Sequence, residues 1–282
     1  MSKVAIMTDS TAYIPEHIRN EKNIVMIPLN VIFGNESYKE EVELNKDDFY
    51  GMVGKGGALP KTSQPSIGEL ADTLERLSKD YDEAIMITLS SGISGTYQSA
   101  LSAADMVEGI KFHVFDSEIS CAPQAFYTYK AVDMAKEGAN ATEIMEKLNS
   151  IKERGIPAYF VVDDLNHLHR GGRMNAAQLL VGNLLQIKPV LHFQDKRIVP
   201  FEKIRTKKKA IARIHQLMEQ SVKPDESFKV SVIHAQREEE AKEIAADIQG
   251  RYPNADVSVD YFGPVIGTHL GEGSIGITWM KN

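Results

Sequence analysis

Cysteine, long apolar runs and excess positive charge are all scarce in this sequence. Cys121 is the only cysteine among 282 residues, which excludes an internal disulfide and favours a reducing cytoplasm. No apolar stretch approaches the roughly 20 residues needed to span a bilayer. The first residues, M-S-K-V-A-I-M-T-D-S, have the pattern of a strand and not that of a secretory signal. We therefore expect a cytoplasmic protein without stable membrane insertion.

Acidic residues outnumber basic ones by 39 to 32, which gives a formal net charge of −7. This balance argues against general nucleic-acid binding, because such binding depends on neutralising phosphates with basic residues. The exception is residues 196–213, where eight basic residues accompany a single acid, Glu202. A solvated surface is the usual meaning of such a run, and a docking face for an acidic partner or for phosphate is the functional alternative.

The arrangement of strands and helices predicts an α/β fold in two domains. Through the first 160 residues, short apolar strands alternate with helical patterns, which is typical of a parallel sheet covered by helices on both faces. Further on, two successive strands at 188–193 and 197–204 read as a hairpin and predict a mixed sheet. We expect an N-terminal parallel-sheet α/β/α domain over residues 1–160 and a C-terminal mixed-sheet α/β domain over residues 161–282.

Residues 58–66, A-L-P-K-T-S-Q-P-S, are predicted to form a loop bounded by prolines. Ser66 then caps a helix that places Ile67, Leu70 and Leu74 on one face. Glu69 follows Ser66 by three residues, so a complete capping box is expected.

Polar turns follow several predicted strands, at Asp9-Ser10, at residues 90–95 and at Asp116-Ser117. In an open parallel sheet, ligands bind at the edge formed by the carboxyl ends of the strands. Ser94 and the amide of Gly95 precede a predicted helix, whose N-terminus carries partial positive charge and unpaired N–H groups. Thr62 and Ser63 could reach the same point from another loop. This grouping indicates a site for an anionic ligand, although Ser94 acting as a simple helix cap is the alternative.

Other chemistries fit the motifs less well. The stretch 92–96, G-I-S-G-T, places its second glycine one position too early for the nucleophile elbow G-x-S-x-G, so a serine hydrolase using Ser94 and His269 is a weak alternative. The glycine pattern at 271–276 lies too close to the C-terminus to form a dinucleotide site. The histidines of V-D-D-L-N-H-L-H-R lack a metal-ligand spacing. No metal and no cofactor are expected.

Several stretches together resemble the DegV family of bacterial proteins. The resemblance extends over essentially the whole chain in consistent order. The matching stretches are T-D-S-T-A-Y-I-P at 8–15, T-S-Q-P-S at 62–66, S-G-T-Y-Q-S-A at 94–100, D-S at 116–117, H-R-G-G-R at 169–173, K-P-V-L at 188–191 and G-P-V-I-G-T-H-L-G-E-G at 263–273. One departure is the run S-E-I-S-C-A-P-Q-A at 117–125, which replaces an expected glycine-containing run and bears on the pocket wall and ligand preference.

The resemblance implies a two-domain protein with a long-chain fatty acid buried between its domains. Such proteins are the acyl-carrying subunits of a bacterial fatty acid kinase, whose separate ATP-binding subunit converts the acid to an acyl phosphate for phospholipid synthesis. The chain itself is then not an enzyme, and at most a transient contact with a membrane surface is expected.

By motif, Thr62 and Ser94 would hold the carboxylate, with Ser63 and Gly95 beside them and His269 in the same network. Arg173 would tie the domains together, and Arg205 would contact the kinase subunit.

Overall fold

The structure, a computed structural model, describes residues 3–56, 58–174 and 187–281. The chain divides into two compact units. The first contains Met1–Asn45 and Thr62–Gly155, and the second contains Lys46–Lys61 and Ile156–Asn282. The segment 46–61 therefore groups with the C-terminal half of the chain. The predicted domain boundary at residue 160 stays a prediction.

The first unit contains a parallel sheet of four strands in the order β2-β1-β6-β7. Its strands are β1 (Val4–Asp9), β2 (Ile24–Ile27), β6 (Glu83–Thr88) and β7 (Lys111–Asp116). β1 and β6 lie in the middle of the sheet, and their apolar side chains Met7, Ile85 and Met86 are buried. Continuous apolar runs are typical of strands covered on both faces, and the parallel sheet predicted from these runs is confirmed.

Helices of the first unit follow its strands in the predicted alternation. They are α1 (Glu16–Lys22), α3 (Ile67–Leu77), α4 (Thr96–Ala104), α5 (Ala122–Lys136) and α6 (Ala141–Arg154). A second sheet of three strands has the order β4-β3-β5, formed by β3 (Asn30–Phe33), β4 (Glu36–Lys39) and β5 (Lys61–Ser63). The loop predicted over residues 58–66 is thus wrong at β5, since residues 61–63 form a strand.

The capping of α3 differs in part from the prediction. Ser66 is its N-cap and accepts a hydrogen bond from the amide of Glu69 at 3.2 Å, as expected. The carboxylate of Glu69 instead accepts a hydrogen bond from Nζ of Lys39 at 2.8 Å. The capping box predicted here is therefore only half formed, because a lysine on β4 offers the glutamate a charged partner.

Cys121 precedes α5 with φ 63° and ψ −144°, a conformation that normally requires glycine. Its side chain is buried. The expectation of a glycine-containing run at 117–125 thus matches the backbone conformation, although the residue there is cysteine.

The second unit contains a mixed sheet of six strands in the order β10-β9-β8-β13-β11-β12. Only β11 and β12 pair in parallel, and the other neighbours are antiparallel. The strands are β8 (Ala158–Val161), β9 (Val190–Gln194), β10 (Arg197–Glu202), β11 (Phe228–His234), β12 (Asp256–Tyr261) and β13 (Ile275–Lys281). The predicted hairpin and mixed sheet are confirmed.

The described helices of this unit surround a core that includes Phe228, Trp279 and Met218. They are α2 (Lys46–Gly54), α7 (Asn166–Arg170), α8 (Lys207–Ser221), α9 (Glu238–Arg251) and α10 (Pro264–Leu270). Among residues 3–56, 58–174 and 187–281, no helix combines the length and apolar character needed to cross a membrane.

Two residues on the apolar face of α3 should differ sharply in their contribution to stability. Leu74 is 0% exposed in the core of the first unit, whereas Ile67 on the same helix is 39% exposed. We expect Leu74→Ala to lower the free energy of unfolding by about 2–5 kcal/mol and Ile67→Ala by less than about 1 kcal/mol. Urea denaturation followed by circular dichroism measures both. Equal losses would contradict the difference in burial between Leu74 and Ile67.

Candidate functional site

Two carboxylates at strand ends hold the turn that follows β6. At the end of β1, Asp9 is 0% exposed, and its Oδ2 accepts a hydrogen bond from the amide of Leu89 at 2.7 Å. At the end of β7, Asp116 accepts one from the amide of Ser91 at 3.1 Å and one from its hydroxyl at 2.5 Å. The polar residues predicted at this sheet edge therefore contact each other directly.

Every main-chain N–H from residue 89 to residue 94 has an acceptor. Besides the two carboxylate contacts, the amide of Ser90 donates to the carbonyl of Ile119 at 2.7 Å, and that of Gly92 donates to the hydroxyl of Ser90 at 3.2 Å. The amides of Ile93 and Ser94 both donate to the carbonyl of Ser90, at 3.1 and 3.2 Å. The turn is thus fully hydrogen-bonded up to Ser94, and its backbone is fixed by neighbouring strands.

The donors become available at the start of α4. Gly95 is the N-cap of this helix, and no side chain caps it. Within the described residues, the amides of Gly95, Tyr97 and Gln98 have no hydrogen-bond acceptor. The first N–H groups of a helix are left unpaired by the helix itself, and they carry its partial positive charge. This terminus is therefore a set of donors suited to an anion.

Ser94 lies immediately before this terminus. Its hydroxyl is 2.9 Å from that of Thr96 and accepts a hydrogen bond from the Thr96 amide at 3.3 Å. Ser94 thus acts in part as a helix cap, since its hydroxyl accepts a hydrogen bond from the first amide of α4. Ser94 is only partly buried, so its hydroxyl can still donate a hydrogen bond to a ligand oxygen.

The loop after β5 packs against the same turn. A Cβ added to Gly95 would lie 3.0 Å from Cδ of Gln64, so the amide of Gln64 rests directly on the glycine. Immediately before this loop, Ser63 at the end of β5 accepts a hydrogen bond from Nδ2 of Asn30 at 3.4 Å. Gln64 and Gly95 are therefore in contact within the first unit, and Gly95 has no side chain because Gln64 occupies the space. The contribution of Gln64 is not apparent from the sequence.

His269 lies in the second unit, on α10, and is 8% exposed. Burial, followed by the nearby charges of Arg173 and His167, lowers its pKa from 6.5 to about 3. The imidazole is therefore neutral near pH 7, and it can contribute a hydrogen bond but no positive charge.

Two glycines and two histidines interlock in this unit. A Cβ on Gly171, which ends α7, would overlap Nδ1 of His269. A Cβ on Gly271, which ends α10 with φ 76°, would lie 2.8 Å from Cδ2 of His167. Residues 167–171 and the motif G-T-H-L-G are thus in contact, and each of the two segments supplies the glycine against which the other's histidine packs.

Arg173 and Arg205 also lie in the second unit and differ in environment. Nη1 of Arg173 donates to the carbonyl of Gly171 at 2.5 Å, and burial lowers the pKa of its guanidinium. Arg205 is exposed, immediately before the N-cap of α8, and forms no ion pair within residues 3–56, 58–174 and 187–281. The roles predicted for both residues stay predictions.

The geometry of Ser94 does not support a hydrolase. A nucleophile elbow holds its serine on a strained strand-to-helix turn. Among the described residues with positive φ, Ser94 is absent, and the hydroxyl contact recorded for it is with Thr96 in its own turn.

A family model described as "Uncharacterised protein, DegV family" matches residues 3–282. The chain belongs to the DegV family. The resemblance predicted from the motifs is thereby confirmed over nearly the whole sequence.

Individual DegV relatives are similar along their full lengths. A DegV domain-containing protein of Halalkalibacterium halodurans is 52% identical over 280 residues, which cover 99% of each chain. The crystal structure of DegV, a fatty acid binding protein from Bacillus subtilis, matches with a TM-score of 0.95 at 50% identity and covers 100% of both chains. A fatty acid binding DegV family protein from Streptococcus agalactiae matches with a TM-score of 0.91 at 33% identity, again over 100% of both. The predicted two-domain α/β fold is confirmed by these matches.

The depressed pKa of His269 should make stability depend on pH. The unfolded chain takes up a proton as the pH falls below about 6.5, whereas the folded chain does so only near pH 3. The contribution of neutral His269 to the free energy of unfolding is therefore fully present above about pH 6.5. It is lost as the pH falls from 6.5 to 3, by up to about 1.4 kcal/mol per pH unit for this one proton.

We expect His269→Gln to flatten the dependence of the free energy of unfolding on pH over this interval. The exposed His17 provides the control, and His17→Gln is measured under the same conditions as a histidine substitution at the surface. Urea titrations at a series of pH values measure the slope. An unaltered slope in His269→Gln would show that this histidine is not held neutral by the fold.

Proposed function

We propose that this DegV-family chain binds a long-chain fatty acid and holds its carboxylate at the start of α4. The observation that carries the proposal is the pattern of used and unused donors. Every N–H from 89 to 94 is hydrogen-bonded, and the unpaired amides begin at Gly95, beside the hydroxyl of Ser94. The fatty acid binding reported for the Bacillus subtilis and Streptococcus agalactiae relatives supports the same ligand class.

The energetics of such a ligand are compatible with tight binding. Burying a 16-carbon chain yields on the order of 11 kcal/mol at about 0.8 kcal/mol per methylene. Lost translational freedom and ordering of the chain cost roughly 4–15 kcal/mol, a range that extends from below to above this gross gain. The balance therefore depends on the carboxylate, which must exchange its hydrogen bonds to water for hydrogen bonds to protein.

Hydroxyls and amides suit this carboxylate better than an arginine would. The hydroxyl of Ser94, the amides at the start of α4 and the hydroxyls of Thr62 and Ser63 on β5 offer single hydrogen bonds without a fixed fork. A bidentate guanidinium would occupy both carboxylate oxygens. Single donors leave one oxygen able to attack a phosphoryl donor. His269 and Arg173 keep the network and domain-tying roles that the family resemblance implies.

The second part of the proposal is that a separate ATP-binding kinase subunit phosphorylates the bound acid. The chain would then be a lipid-binding subunit without catalysis of its own, acting in the cytoplasm. Two observations support this part. The sequence carries no usable nucleotide-binding motif, and Arg205 is an exposed cation within a basic segment. Such a segment favours an acidic or phosphate-bearing partner.

The protein purified from a bacterial host should contain a long-chain fatty acid. Organic extraction followed by mass spectrometry identifies it, and equilibrium dialysis of the delipidated protein against radiolabelled palmitic acid measures its affinity. A ligand-free sample that also fails to bind added acid would overturn the proposed function.

Ser94→Ala should weaken palmitic acid binding by about 10–100-fold, which corresponds to the roughly 1.5–3 kcal/mol of a hydrogen bond to a charged group. Ser102→Ala is a matched control, because Ser102 lies on α4 beyond its first turn and makes no hydrogen bond through its side chain in the described residues. The control should bind as the native protein does. Equal affinities for the two variants would exclude Ser94 as a carboxylate ligand.

Arg205→Glu should lower the rate of acyl phosphate formation by the kinase subunit by about 10-fold or more, since it reverses a charge on the proposed docking segment. Palmitic acid binding should be unchanged. Lys136→Glu alters the net charge equally at an exposed position of α5 and is the control. The same loss of rate in both variants would argue against a specific contact at Arg205.

A further inference from the structure

Asp9 and Asp116 are two acidic residues of this sheet edge that the proposed carboxylate site does not use. Each belongs to a sequence motif, T-D-S for Asp9 and D-S for Asp116, and each is the last residue of a strand in the parallel sheet. An acid so close to an anion site is unexpected, because like charges repel. Their hydrogen bonds give a physical reason for their presence.

Asp9 is held without contact with water. Its Oδ1 accepts hydrogen bonds from the amide and the hydroxyl of Thr11, at 3.0 and 2.6 Å. Its Oδ2 accepts a hydrogen bond from the amide of Leu89 at 2.7 Å. Burial raises the pKa of this carboxyl, and the hydrogen bonds from Thr11 and Leu89 oppose the increase. A buried carboxyl is costly unless its acceptors are used, and here both oxygens are.

Asp116 performs the same task from the other side of β6. It fixes Ser91 through two hydrogen bonds, and its Oδ1 also accepts the amide of Glu118 at 3.1 Å. Because β6 lies between β1 and β7, the two acids approach the same turn from opposite neighbours. The main chain is thereby hydrogen-bonded to Asp9 at residue 89 and to Asp116 at residue 91.

The consequence concerns which amides a ligand can reach. The N–H groups of Leu89 and Ser91 are occupied by the protein's own carboxylates, so a bound anion is directed to the open donors from Gly95 onward. Ser94 is connected to the braced segment through its amide, which donates to the carbonyl of Ser90. Loss of the hydrogen bonds from Leu89 to Asp9 and from Ser91 to Asp116, here called the brace, would therefore displace Ser94.

We propose that Asp9 and Asp116 are positioning residues that make the site selective for a carboxylate by fixing the turn before Ser94. This inference rests on the proposed function, because it assigns the selectivity of that same site. A role in folding alone would affect all ligands equally. A positioning role affects only ligands that use the fixed donors.

The test compares palmitic acid with 1-hexadecanol, which has the same chain without a carboxylate. Asn at position 9 has one acceptor oxygen and places an NH2 group against an N–H or hydroxyl donor. We expect Asp9→Asn to reduce the affinity for the acid by about 10-fold or more and that for the alcohol by less than about 2-fold. Equilibrium dialysis with radiolabelled ligands measures both, and circular dichroism confirms the fold.

Glu40→Gln is the matched control. Glu40 is another buried carboxyl of the first unit, and it accepts hydrogen bonds from the hydroxyls of Ser10 and Tyr13. The ratio of acid to alcohol affinity should be unchanged in this variant. If Asp9→Asn fails to fold, Asp116→Asn and Ser91→Ala test the other brace, and both should reduce the ratio.

Equal losses of acid and alcohol binding in the aspartate variants, or an unchanged ratio, would overturn the inference. So would the same change of ratio in Glu40→Gln. A native protein that binds neither ligand, or does not prefer the acid, would overturn the proposed function and this inference with it. The two failures are distinguishable because the second is seen before any substitution is made.

Discussion

The hydrogen bond from the amide of Leu89 to the buried carboxylate of Asp9 connects the sheet of the first unit to its candidate site. β1 and β6 are paired along their length, so this bond continues their alignment beyond the last residue of β6. The turn after β6 starts from a fixed point as a result. The orientation of Ser94 and of the first amides of α4 depends on that starting point, since the intervening residues are hydrogen-bonded among themselves. A site built in this way is rigid before a ligand arrives, which reduces the entropy lost on binding.

Strand-to-helix alternation and the meeting of Asp116 with the turn at residues 90–95 could be predicted because they depend on local patterns. The runs V-A-I-M in β1 and A-I-M-I in β6 identify buried strands, and the glycine-containing turn after β6 identifies a helix start. The acceptors of the turn could not be predicted. Asp9 and Asp116 reach it only because β1 and β7 flank β6, and sheet order is a tertiary property. The packing of Gln64 on Gly95 depends likewise on the approach of two loops.

The elements missed by sequence reasoning have weak local signals. β4, E-S-Y-K, and β5, K-T-S, are short and polar, and their strand conformation comes from pairing beside β3. α1 buries none of its residues, so it has no apolar face to detect. α10 is the opposite case, since all of its residues are buried and no polar face marks a helical period. Glu69 illustrates the same limit at one residue, because the lysine that withdraws it from the capping box comes from another element.

The reciprocal packing of Gly171 on His269 and of Gly271 on His167 constrains how this family can change over time. The two segments, residues 167–171 and residues 269–271, are about a hundred residues apart in sequence, yet each requires the absence of a side chain in the other. A mutation that enlarges either glycine has to be accompanied by a smaller residue in place of the facing histidine. Gly271 faces a further restriction, since its φ of 76° disfavours any side chain. These two histidines and two glycines are therefore expected to be inherited together, as a single unit of variation.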